Sequence, residues 1–170
     1  MPYAAGNLTA VAYASLDAAA APAAVTTVLS AGAPAALKLT ADRATVCASR
    51  DDLAYVTVEV VDKEGRLVPR AQLPLTFSVS AGGGGKSGGG KNKKGDSAAA
   101  AELYRVGNGD PRDLGSFTAP QRSTFRGKAL AVLRPTKAGA AGQVKLSAKA
   151  AGLPMASVVV SVVADGATCA

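Results

Sequence analysis

Apolar residues in this chain recur at every second position. In "AYVTVEVVD", Ala54, Val56, Val58 and Val60 fall on one face, with Tyr55, Thr57 and Glu59 on the other. "PLTFSVS" sets Leu75, Phe77 and Val79 against Thr76 and Ser78, and "QVKLSAKA" alternates Val144, Leu146 and Ala148 with Lys145, Ser147 and Lys149. Successive side chains of an extended backbone point to opposite faces, so this pattern specifies strands with one face in a core and one in water. "SVVVSVV" (157–163) is a continuous β-branched run, which predicts a strand covered more fully. Turn signals separate these runs: Lys63-Glu64-Gly65, Asn108-Gly109, Asp110-Pro111, Lys137-Ala138-Gly139 and Gly152-Leu153-Pro154. Short strands with such turns between them predict an all-β fold, an antiparallel β-sandwich. No segment carries a helical stripe. The best helical candidate is "AAAAEL" (98–103), short and uncapped.

Composition narrows what such a sandwich can do. The 170 residues amount to roughly one domain. Much of the 48% hydrophobic content is alanine and aromatics are only 4%, so Val and Leu must build the core around Phe77. The sequence contains no His, which excludes a His-based triad, a His metal site and a His pH switch. Two cysteines, Cys47 and Cys169, are too few for a disulfide scaffold, and two unrelated thiols are expected rather than a pair. No apolar run is long enough to span a membrane. The start, "MPYAAGNLTAVAY", has neither a basic nor an apolar signal-peptide region, which leaves the compartment unknown.

"SAGGGGKSGGGKNKKG" (80–95) interrupts the alternation. It contains the Gly-Lys-Ser that closes a phosphate-binding loop. Such a loop also needs a glycine five residues before the last one, where Ser80 stands, and a helix beginning at the lysine. Gly88-Gly89-Gly90 follows instead and cannot start that helix. No nucleotide site is expected. Lys86, Lys91, Lys93 and Lys94, less Asp96, supply +3 of the net +7, leaving an ordinary surface elsewhere. Without interleaved aromatics these lysines make no single-strand nucleic-acid site, and they support only salt-sensitive, sequence-blind contact with polyanions. Deleting 82–95 and following salt-dependent binding tests that weaker option. The stretch reads as a disordered insertion at about 81–101, in a place where extra loop length costs only about 0.6 kcal/mol per doubling.

With the insertion set aside, "LPLTFSVS…ELYRVGNGDPRDLGSFTAPQRSTFRGKALAVLRP" reads as one piece. Together with "AGAPAALKLTADRATV", "LAYVTVEVVDKEGRLVP" and "AGQVKLSAKAAGL", it resembles the C-terminal immunoglobulin-like domain of family 2 glycoside hydrolases, the β-galactosidase-like enzymes. "VGNGDP" (106–111) and "TFRGKALAVLR" (124–134) are the most specific pieces. "YAAGNLTAVAY" (3–13) resembles the closing hairpin of the sandwich that precedes this domain in those enzymes, with Ala5 where the family has Pro. Other departures are Ser49-Arg50 in place of an Asp-Gly turn and Arg105 in place of a glycine. The resemblance implies three parts: a remnant hairpin plus linker at 1–33, an immunoglobulin-like sandwich at 34–165 with its insertion, and a tail at 166–170. It also implies that the chain is a fragment of a larger enzyme. The partners it implies are that enzyme's catalytic (β/α)8 barrel and its other β-sandwich domains, with carbohydrate a further possibility and no nucleic acid or membrane.

The catalytic glutamates of the resembled enzymes belong to that barrel, and a retaining pair must lie about 5–5.5 Å apart. Glu59 on a strand face, Glu64 in a turn and Glu102 beside the insertion suggest no such pairing, so no catalytic residue, metal site or cofactor is expected in this chain. Tyr55 and Tyr104 are the aromatics available as sugar platforms, although Tyr55 equally suits cross-strand packing. The candidate binding residues are Asn108, Asp110 and Arg112, with Asp113 beside them. They either hold a cation or contact the neighbouring catalytic domain, or they form a turn, the reading these residue types favour. Asn7-Leu8-Thr9 matches a glycosylation acceptor, usable only in a secreted protein. The expected function is a non-catalytic accessory sandwich of a glycoside hydrolase. The alternative is a free-standing invasin-like adhesion or carbohydrate-binding module, which glycan pull-down separates from the first.

Overall fold

The computed structural model describes residues 4–15, 21–82, 99–137 and 141–164. All regular structure among them is strand. A hairpin of β1 (Asn7–Tyr13) and β2 (Pro22–Leu29) precedes two sheets packed face to face. One sheet has the order β3-β5-β9-β7, from β3 (Ala36–Ala41), β5 (Ala54–Val61), β9 (Lys128–Pro135) and β7 (Ala101–Gly107). The other runs β4-β11-β10-β6-β8, from β4 (Thr45–Cys47), β11 (Ala156–Val163), β10 (Gly142–Ala150), β6 (Pro74–Ala81) and β8 (Gln121–Ser123). The pairs are antiparallel except β4 with β11, where the chain has crossed from one sheet to the other. This is the expected all-β sandwich.

The alternation decides which face is buried. Ala54, Val56, Val58 and Val60 are fully buried, as are Leu75, Val144, Leu146 and Ala148, with Phe77 nearly so. They meet Ala131 and Leu133 of β9, Val106 of β7 and Val160 and Val162 of β11 in one continuous core. Phe77 is its single aromatic among the described residues.

Three expectations need correction. The described end of "AAAAEL" is strand rather than helix: Ala101 opens β7, and Ala101, Glu102 and Leu103 pair with Pro135, Arg134 and Leu133. Cross-strand pairing along β9 outweighs the helical preference of alanine, which is weak in so short a run. "SVVVSVV" is covered on one face only, since Val160 and Val162 are buried while Val159 is 44% exposed. Among the described residues no layer packs on the outer face of that sheet. Cys47 is disulfide-bonded, against the expectation of two unrelated thiols. β4 sets Cys47 opposite Val163 of β11, so the chain leaves the sheet beside that thiol, a proximity that sequence spacing conceals. Cys169, the other cysteine in the sequence, lies outside the described residues. So do residues 83–98, which hold most of the Gly/Lys insertion, and the tail at 166–170.

The "TFRGK" motif forms the tight turn between β8 and β9. Phe125 and Lys128 exchange backbone hydrogen bonds of 2.8 and 3.0 Å around Arg126 and Gly127. Both central residues are left-handed, with φ of 51° and 76°, as the two-residue hairpin turn that matches strand twist requires. The Gly127 carbonyl accepts from Val60 N–H and its N–H donates to the Ala71 carbonyl, which ties the turn to β5 and to the segment before β6. A Cβ on Gly127 would meet the Val68 carbonyl oxygen at 2.4 Å. Gly127→Ala is therefore expected to lower the unfolding free energy by at least about 2 kcal/mol, from a strained backbone plus a backbone clash. Urea unfolding followed by circular dichroism checks this, and a loss near zero contradicts it.

Candidate functional site

The structure gathers Asn108, Asp110, Arg112 and Asp113 into the crossover 108–120 that links β7 to β8. Asn108 Oδ1 accepts from Asp110 N–H at 3.0 Å, and Asp110 Oδ1 accepts from Arg112 N–H at 3.0 Å. Asp113 Oδ1 accepts from Gly115 N–H at 2.9 Å. Each bond joins residues two apart, the short loop that Asn and Asp side chains close on their own backbone. Asn108 Nδ2 also donates to Asp113 Oδ2 at 2.7 Å and to the Ser123 carbonyl at 2.9 Å, stapling the start of the crossover to its far end. Arg112 reaches back to Asp110 at 3.3 Å while remaining largely in solvent.

The residue that organises this loop is one the sequence reading did not single out. Arg122 of β8 has a side chain 3% exposed. Its Nη1 donates to the Gly115 carbonyl at 2.7 Å. Its Nε lies 3.2 Å from Asp113 Oδ2, an ion pair without hydrogen-bond alignment. The guanidinium stands 4.6 Å from the centre of the Phe117 ring, and the Phe117 carbonyl accepts from Val106 N–H on β7. Gly115 belongs to the same packing, because a Cβ there would meet Arg122 Nη1 and Asp113 Oδ1 at 2.9 Å. The available signal was the alternation around "QRST", which points Arg122 and Thr124 inward together. An arginine in a polar stretch ordinarily reads as surface, and that hid it.

These bonds explain the acidity of the cluster. The Gly115 N–H, then the Asn108 amide, then Arg122 hold the Asp113 carboxyl below the usual range. The Arg112 backbone and side chain do the same for Asp110. The carboxylates are thus spent inside the loop. Among the described residues no group of three or more His, Cys, Asp and Glu side chains is placed to hold a metal ion.

A second aspartate fixes the approach to the sandwich. Asp62, at the end of β5, is 3% exposed. Its Oδ2 accepts from Gly32 N–H in the linker after β2, and its Oδ1 accepts from Glu64 and Arg66 N–H in the turn that follows. The Gly32 bond is the chief reason its carboxyl is held low, with the Arg66 and Glu64 bonds and the Arg66 charge adding to it and burial opposing it.

The glutamates stand apart. Glu59 sits between Lys38 and Lys128 at 4.0 and 3.0 Å, Glu64 pairs with Arg66 at 3.4 Å, and Glu102 pairs with Arg134 at 2.8 Å. Glu59 lies opposite Lys128 and Glu102 opposite Arg134, at the two ends of β9. At about 3.3 Å per residue that separation is about 20 Å, far beyond a glycosidase pair. Of the two aromatic candidates, Tyr55 is 43% exposed. The Tyr104 ring is already engaged, with the guanidinium carbons of Arg134 and Arg105 at 3.7 and 4.1 Å from its centre. Tyr104 sits where the β7–β9 register slips, which turns it toward those arginines and away from a sugar-stacking role.

The loop aspartates of this two-sheet sandwich are bonded within its own turns, and Glu59 and Glu102 are paired across strands. The family model described as glycoside hydrolase family 2 C-terminal domain 5 matches residues 37–101 and 96–159, and the chain belongs to that family. It is 34% identical over 134 residues to the β-galactosidase BoGH2A of Bacteroides ovatus, covering 79% of this chain and 13% of that enzyme. It superposes on a glycosyl hydrolase family 2 member from Bacteroides cellulosilyticus with a TM-score of 0.75 and 31% identity, over 95% of this chain and 18% of that one. A second structure of a family 2 member from the same species gives 0.73 and 32%, over 94% and 19%. The chain therefore spans less than a fifth of these relatives, which carry the matching domain within much longer enzymes.

Two measurements probe the site. Asp113→Ala leaves the buried Arg122 cation without its carboxylate partner, whereas Asp110→Ala frees a solvent-facing arginine and one loop N–H. The urea midpoint should fall clearly more for Asp113→Ala, because an uncompensated buried charge is costly; equal midpoints contradict the arrangement. The second concerns acid. Asp62, Asp110 and Asp113 have carboxyls lower in the folded chain than their unfolded value of about 3.9. Their stabilisation is complete above that value and is lost as pH falls through the lower folded values. Below about pH 4 the stability of Asp62→Asn should therefore decline less steeply than that of the parent chain. Parallel acid-dependent slopes would show that Asp62 is not linked to folding.

Proposed function

We propose that this chain is the non-catalytic accessory sandwich of a β-galactosidase-like glycoside hydrolase, and that it braces the catalytic module of that enzyme. Its parts are a hairpin and linker at 1–33 that close a preceding β-sandwich, the immunoglobulin-like body at 34–165 and a tail at 166–170. Hydrolysis of O-glycosyl bonds then belongs to a barrel elsewhere in the parent enzyme. The observation that carries this reading is the separation of Glu59 and Glu102 to opposite ends of β9, each locked in ion pairs, within a domain of a glycosidase family. Asn108, Asp110 and Arg112 are proposed as a shaped loop that presents a surface to a neighbouring domain, because their polar atoms are satisfied within the loop.

The test uses the purified chain and p-nitrophenyl β-galactoside. No release of nitrophenol above buffer is expected. Turnover abolished by Glu59→Gln or Glu102→Gln would overturn the proposal. The natural transcript upstream of Met1 is expected to encode a barrel in the same frame.

A further inference from the structure

Strand polarity sorts the connections of the sandwich into two ends. The registers Ala36↔Val61, Glu59↔Lys128, Gly107↔Leu130, Leu75↔Ala150 and Ala148↔Ala156 bring together the starts of β3, β6, β9 and β11 and the ends of β5, β7 and β10. This entry end receives the linker from the hairpin and carries the segment 62–73, the crossover 108–120 and the turn 151–155. The far end carries the β3–β4 corner, Cys47, the strand ends flanking the insertion and the exit of β11.

Exposed large apolar side chains follow the same division. All of them except Tyr55 and Val159 lie on the hairpin or at the entry end. Leu8 and Val28 are opposite one another on one face of the hairpin, and Val11 and Val25 on the other. A cleft of about 870 Å³ separates the hairpin base from Leu67, Val68 and Pro69. On the sandwich itself the entry end presents Leu114 (96% exposed), Phe117 (57%) and Met155 (62%). Leu114 and Phe117 are not carried on slack chain. They are held out by the crossover that Asn108, Asp113 and the buried Arg122 brace from within. A polar network spent on holding apolar side chains in water has the form of a docking surface, since clustered exposed apolar groups mark interaction sites.

We infer that the crossover 108–120 and the turn 151–155 form, with the hairpin, one continuous interface against the β-sandwich domain that precedes this one in the same polypeptide, with Leu114, Phe117 and Met155 as its anchors. This rests on the reading of the chain as part of a larger glycosidase. The relatives are more than five times longer than the part they share with this chain, and a match over 95% of the chain leaves too few residues unmatched for the hairpin to fall outside it. The hairpin thus occurs within longer chains, and its linker, clamped by the Asp62–Gly32 bond of 2.9 Å, delivers it to the end where the three anchors stand. A preceding domain that incorporates the hairpin is brought against that end and kept from the far one.

Hydroxyl-radical footprinting with mass spectrometry, run on the 170-residue chain and on the full natural polypeptide containing it, tests the inference. Oxidation of Leu114, Phe117 and Met155 should slow several-fold in the longer polypeptide, while Tyr55 and Val159 keep their rates. Protection of the hairpin alone, with the three anchors unchanged, overturns the inference and leaves the accessory-domain reading standing. A natural polypeptide with no preceding sandwich overturns both. Leu114→Asp adds an independent measure. It should leave the melting temperature of the 170-residue chain unchanged and speed proteolysis of the linker at 30–35 in the longer polypeptide. Unchanged proteolysis counts against the inference.

Discussion

Everything in this molecule depends on two sheets approaching closely enough to exclude water between inner faces made of valine, leucine and alanine. Among the described residues Phe77 is the one aromatic in the core, so valine, leucine and alanine set the spacing of the layers. Burial per residue is modest, so the core needs many contributors in strict register. A slip of one residue in β5 would exchange Val56, Val58 and Val60 for Tyr55, Thr57 and Glu59 and expel the whole apolar row. That constraint explains why the pairings of β5 with β3 and β9 run unbroken while register shifts occur at the edge strand β7 and in the hairpin outside the sandwich.

Among the described residues, three of the four buried polar side chains knit connections to that frame; the fourth, Ser147, lies within β10. Thr124 donates to the Ala71 carbonyl and accepts from Leu73 N–H, joining β8 to the start of β6. Asp62 gathers backbone donors from the linker and from the turn after β5. Arg122 gathers the crossover. All three stand at the entry end. The architecture is consequently asymmetric: one end is braced and exposes Leu114, Phe117 and Met155, and the other holds the disulfide-bonded Cys47 and the strand ends around the Gly/Lys stretch.

This asymmetry bears on function more than any single residue does. A catalytic site needs groups that are held close together yet left unsatisfied, ready for substrate. Here the glutamates are paired with lysine and arginine, and the loop aspartates with backbone amides. What stays unsatisfied is apolar surface, the currency of domain contact. Fold by itself would not separate an accessory domain from a free-standing module. The position of the unsatisfied surface beside the incoming chain favours the former.

Strand existence, facing and the type of fold were legible in the residues, because a period of two is a local property that any extended backbone expresses. The "VGNGDP" and "TFRGK" turns were legible for the same reason: Asn, Asp and Gly act within a few residues of themselves. Membership in a glycosidase accessory family followed from the order of such pieces. The sequence alone did not reveal that 101–103 would serve as strand, that Val159 would face water, that Cys47 would be disulfide-bonded or that Tyr104 would be stacked by arginines. Nor did it mark Arg122 as the centre of the crossover. Several of these depend on residues far away in the chain and near in space, Pro135 and Arg134 for β7 and Tyr104, and Val163 beside Cys47, while Arg122 meets Asp113 and Gly115 only because the crossover folds back on itself. Local chemistry determined what each segment could be, and the packing of the two sheets decided what each one met.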